Sequence, residues 1–184
     1  FDAYTRETLM HGRASEAIQD FLNKELLPIL NKMRDEGVTL AELEEYLHNR
    51  HAEEYNVQIA KINPSMPGTD ETNSGSGIST DNANLYLNSL TQEQKRKFES
   101  LAKDIDAVIR GTQEVVVEGG LETQETIDLW NQTYPNYVPL KRADLDYVHT
   151  GSGIARGVQT KGPFSKRALG SLKDVVDIFS KDRK

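Results

Sequence analysis

Apolar residues recur three and four positions apart through most of this chain, the spacing of helices that bury one face. Ile18, Phe21, Leu22, Leu26, Ile29, Leu30 and Met33 form the first stripe and predict a helix over about residues 4–34. Pro28 interrupts it and should kink or divide it, because the ring removes a donor and crowds the preceding turn. Gly37 supplies a stop. Thr39 and Glu42 then spell a capping box that opens a second helix to about residue 62, with Leu40, Leu43, Leu47, Tyr55, Ile59 and Ile62 on its buried side. Asn63-Pro64 ends it, since a residue before proline avoids helical geometry.

Residues 63–79 are the longest run of turn-forming residues, a length that marks a mobile or functional loop. Thr80 or Asp81 should cap a short helix to Leu90, and Thr91 should start another whose core side carries Phe98, Leu101, Ile105, Val108 and Ile109. Val115-Val116-Val117 has the composition of a strand, but it continues the stripe and is read as helix up to Gly119-Gly120. A last body helix follows Thr123, with Ile127 and Trp130 one turn apart. The fold class expected is mainly α, an antiparallel bundle of four to five helices at about 4–34, 39–62, 80–90, 91–118 and 124–133. Residues 1–134 would form this bundle. Residues 135–184, rich in glycine and proline, would form an extended arm with a short helix at Ser171–Phe179. Tyr137, Val138 and Leu140 would anchor it as a strap across the helices.

The 184 residues carry a net charge of −7, which hides a division: residues 1–140 sum to −12 and residues 141–184 to +5. An acidic body does not suit broad contact with phosphates. The basic arm suits nucleic acid, an acidic partner or the acidic body itself, and the last is preferred. There is no cysteine, which excludes disulfides, thiolate metal sites and a cysteine nucleophile. No run approaches the roughly 20 apolar residues of a membrane span. The chain begins at Phe1 and reads as a piece of a longer protein.

Three groups of residues carry candidate chemistry. Glu44, Glu45, His48 and His51 share a helix face, and Glu45-Tyr46-Leu47-His48 spells the Glu-x-x-His fragment that di-iron bundles use twice. The only comparable fragment, Asp146-Tyr147-Val148-His149, lies in the arm, so the plainer reading is a polar face bonded to its neighbours. Asn49, Arg50, His51, Tyr55 and Asn56, with Asn63, form a second group. They fit either a recognition surface or, preferably, a buried polar network tying the helix to the loop that follows. The third is the basic arm, with Lys141, Arg142, Lys166 and Arg167 as possible contacts to nucleic acid, although aromatic residues interleave only sparsely, as at Tyr147 and Phe164. Gly75-Ser76-Gly77 and Gly151-Ser152-Gly153 read as flexible turns rather than nucleophile elbows. Neither a catalytic residue nor a cofactor is assigned.

Asn49-Arg50-His51-Ala52-Glu53-Glu54-Tyr55-Asn56, Ile59-Ala60-Lys61-Ile62-Asn63 and Gly75-Ser76-Gly77-Ile78 resemble a segment of the very large polyvalent proteins of phages and conjugative elements. Trp130 to Arg142, with its Tyr-Val-Pro-Leu-x-Arg stretch, and Lys166-Arg167-Ala168-Leu169-Gly170 resemble the same proteins. The resemblance spans roughly residues 45–175. It implies a helical connecting module of a multidomain chain that travels with injected DNA. Its partners would be other domains of the same parent or other virion proteins, and its location the virion or the bacterial host cytoplasm.

Overall fold

The computed structural model describes residues 12–13, 15–64, 75–139, 141–142 and 175–177. Expectations for residues outside these ranges, including the basic positions Lys166 and Arg167, are not addressed by it. Among the described residues the fold is mainly α, with α1 (Leu27–Glu36), α2 (Leu40–Ile62), α3 (Thr80–Ser89), α4 (Gln92–Glu118) and α5 (Gln124–Thr133) besides a helical segment leading into α1.

The expected break at Pro28 has a specific form. Residues 15–21 are helical, Leu22–Leu26 form a π turn, and Pro28 sits in the first turn of α1. A proline there cannot donate to the carbonyl four residues back. The chain widens instead, and the Leu27 N–H reaches back to Leu22.

Local chemistry sets the other boundaries. Gly37 closes α1 at φ 67°, with its own N–H on the Arg34 carbonyl and the Val38 N–H on the Met33 carbonyl. That is a left-handed cap in which Val38 and Met33 are both buried. The Thr39–Glu42 box forms as read: Glu42 accepts from the Thr39 N–H at 2.8 Å, and the Glu42 N–H donates to the Thr39 hydroxyl at 3.3 Å. Thr91 and Gln94 repeat the device ahead of α4, at 2.9 and 3.2 Å. The cap of α3 is Ser79, not Thr80 or Asp81; its hydroxyl accepts from the Asn82 N–H at 3.2 Å. Residues 115–117 are helical, and Gly120 ends that helix at φ 66°.

The chain divides into two compact units, residues 1–43 with 91–111 and residues 44–90 with 112–184. In the first unit, Ile29, Met33, Val38, Leu43, Phe98, Leu101, Ala102 and Ile105 are buried. At the edge of that core, the Lys32 ammonium meets the Asp104 carboxylate and donates to the Ser100 carbonyl at 3.2 Å. Arg96 and Lys97 both donate to Glu36, at its carboxylate and its carbonyl. Residue 32 near 104 and residue 36 near 96 make the pairing antiparallel.

In the second unit, Leu47, Ala52, Ile59, Ala83, Ile127 and Val138 are buried, and so are four polar residues: Asn49, His51, Asn56 and Ser76. Gln113 of α4 donates to Asn131 of α5 at 3.0 Å. Within the short helix expected at Ser171–Phe179, the described residues Val175–Asp177 form a strand, paired antiparallel with Lys141–Arg142 across a register shift. Two adjacent valines suit either state, and a run this short carries no decisive period.

Candidate functional site

The polar residues of α2 occupy two clusters, each binding a non-helical segment to that helix. The first holds residues 75–78. Asn56 is fully buried; its carbonyl oxygen accepts from the Ser76 N–H at 3.0 Å, and its amide donates to the Ile78 carbonyl at 2.9 Å. Two turns earlier on α2, His48 Nε2 lies 2.9 Å from the Ser76 carbonyl, so that nitrogen carries the proton and donates. The Ser76 hydroxyl closes its own turn by donating to the Ile78 carbonyl at 2.7 Å. Gly75, at φ 71°, lies so close to α2 that a Cβ there would fall 2.7–2.9 Å from Ile59. Only glycine fits both the left-handed backbone and the contact. This portion of the 63–79 stretch is therefore not the flexible turn expected: Ser76 is fully buried.

The second cluster holds the segment after α5. Glu54 accepts from the Asn136 N–H at 3.0 Å and from the Asn136 amide at 3.0 Å, across 82 residues of sequence. The same carboxylate lies 2.7 Å from His51 Nδ1. An acceptor already receiving two N–H groups requires the imidazole to donate, which fixes the proton on Nδ1. His51 is fully buried, and its Nε2 has no hydrogen-bond partner among the described residues. Tyr55, Tyr134 and Tyr137 surround the ring, with centroids 5.2, 6.0 and 5.8 Å away. Burial, and secondarily the Tyr55 phenol, push the Tyr137 phenol above its ordinary value, although the residue as a whole stays 42% exposed. Val138, next along, is 1% exposed. Of the three expected anchors Val138 is buried, Tyr137 is partly exposed, and Leu140 lies outside the described residues; the Glu54 carboxylate holds this segment through Asn136.

The residues singled out from the sequence sort accordingly. Asn49 is buried and donates to the Glu45 carbonyl at 2.7 Å, one turn back on its own helix. His51 and Asn56 are fully buried, while Arg50 and Tyr55 are half-buried and engaged within the fold. Most of this set is bonded within the fold. His48 and His51 turn to different clusters. Glu44 is half-buried and Glu45 exposed, and no group of three or more His, Asp or Glu side chains among the described residues is placed to hold a metal. Lys141 and Arg142 lie on the short strand. Sequence reasoning missed Ser76, Tyr134 and Asn136. The signal available was that each sits in a motif that also carried the resemblance.

No described helix is long and apolar enough to cross a membrane. Comparison with known proteins found no matching family model, curated protein or solved structure.

Proposed function

We propose that this chain is a non-catalytic structural and interaction module of a larger phage or mobile-element protein, delivered with DNA and working in the virion or the host cytoplasm. One observation supports this reading above the rest. The side chains best suited to chemistry, His48, His51, Glu54 and Asn56, are engaged in holding residues 75–78 and 134–138 against α2. Side chains bonded to packed backbone in this way build a scaffold rather than a reaction centre. The three segments joined in this way are also those that resemble the polyvalent proteins.

The partners on this reading are neighbouring domains of the parent polypeptide or other virion proteins. Co-elution of this chain with separately expressed flanking domains is the expected result. A stoichiometric metal bound through Glu44, Glu45, His48 and His51 would contradict the proposal. So would a salt-dependent shift of DNA that disappears when Lys166 and Arg167 are neutralised, because that result belongs to a nucleic-acid-binding module.

A further inference from the structure

We infer that the helical segment leading into α1 pairs with the same segment of a second copy of this chain, antiparallel about a two-fold axis. This deepens the interaction-module reading, and rests on it, by assigning one surface to one partner. Ile29 and Met33 are buried in the first unit. Around and before them, Ile18, Phe21, Leu22, Leu27 and Leu30 are 58, 41, 38, 48 and 47% exposed. Single exposed leucines need no explanation, but five large apolar side chains within 13 residues do.

The π turn makes them one row. On a regular α-helix of 3.6 residues per turn, Leu27 and Leu30 would lie well round the axis from Ile18 and Leu22. The wider turn at Leu22–Leu26 rotates the chain less per residue and brings the following residues back towards that side. Ile18, Leu22, Leu26 and Leu30 then fall nearly in line, with Phe21 and Leu27 beside them. Pro28, which favours the π turn, therefore assembles an apolar row that a regular helix would scatter.

The pattern also selects the occupant. Read from Lys24 outwards, Leu22 mirrors Leu26, Phe21 mirrors Leu27 and Ile18 mirrors Leu30. A row that reads the same in both directions meets apolar with apolar when two copies run antiparallel about a two-fold axis, and such a contact is isologous. Lys24, at the centre, falls opposite Lys24 of the other copy, each ammonium paired with Asp20 of its own chain at 2.7 Å. In this pairing Glu25 falls opposite Asn23 of the other copy, an acceptor opposite a donor. From Ile18 to Leu30 the contact would run about 18 Å, at 1.5 Å per residue.

Sedimentation of the whole chain over a range of concentrations tests the pairing. The expected result is a monomer–dimer equilibrium whose dissociation constant rises more than about tenfold in Leu22→Glu, the effect of placing charge at a central apolar anchor. Leu27→Glu gives a second, independent exposed position, and circular dichroism confirms that each variant keeps its helices. The absence of cysteine makes cross-linking direct: mixed Ile18→Cys and Leu30→Cys chains should oxidise to the 18–30 disulfide in preference to either like pair. A monomer at every concentration, a dimer indifferent to both glutamates, or preferential 18–18 and 30–30 bridges would each overturn the inference. Failure here leaves co-elution with flanking domains untouched, so the two readings fail separately.

Discussion

The two compact units bury different kinds of residue. The first has an all-apolar set, Ile29, Met33, Phe98, Leu101 and Ile105 among them, with its ion pairs at the half-exposed edge. The second buries Asn49, His51, Asn56 and Ser76 beside its aliphatic residues. Helices need only a stripe to pair, because their backbone groups are satisfied within each helix. Segments 75–78 and 134–138 have no such internal ladder, so their N–H and C=O groups need side-chain partners once covered. Asn56 and Glu54 are those partners. Polar burial here marks the places where irregular backbone is packed on a helix.

Substitutions should separate the two strategies. The largest effect is expected from Gly75→Ala, which combines a left-handed backbone with a Cβ against Ile59; a loss of about 2–4 kcal/mol should appear in denaturant unfolding. Asn56→Ala comes next. It leaves the Ser76 N–H without its acceptor and removes the amide donor from the Ile78 carbonyl, a loss of about 1–3 kcal/mol. An Asn56→Ala variant as stable as the parent would mean that the polar cluster contributes nothing and the contrast is false. At the edge of the first unit, Lys32→Met should change stability by no more than about 1 kcal/mol, since both partners of its ion pair are about a third exposed or more.

The smallest effects concern pH, and they fall on opposite limbs. In the first unit, bonds from the Thr39 hydroxyl and then the Thr39 N–H hold the Glu42 carboxyl below its ordinary range. Its contribution is therefore present above the unfolded carboxylate value, about 4.3, and fades as pH falls through the lower folded value. In the second unit the Tyr137 phenol is raised, so its contribution is whole below about 10 and fades as pH climbs through the folded value. Unfolding followed against pH should show Glu42→Gln flattening the acid limb and Tyr137→Phe the alkaline limb. Any exchange of these roles would contradict the assignment.

Much of the first unit could be read from the sequence because its determinants are local. The Thr39–Glu42 box, the Gly37 cap and the three- and four-residue stripes each lie within a few positions. The π turn escaped, since the sequence signals a disturbance at Pro28 without saying how the backbone absorbs it. The second unit was legible only in part. A buried network joining α2 to the following loop was foreseen from Asn56 and its neighbours. The partners were not: Asn136 lies 82 residues from Glu54, and no spacing rule links them. Ser76 looked like a loose turn because glycines flank it, whereas Gly75 is there to let the backbone lie against Ile59.

Amide hydrogen exchange at Ser76 and Asn136 tests the two clamps most directly, because side chains of α2 accept both N–H groups. The expected result is slow exchange at both positions, comparable with the middle of α2, with Ser76 released by Asn56→Ala and Asn136 by Glu54→Ala. Exchange at the rate of an open loop in the unaltered chain would show that neither segment is held.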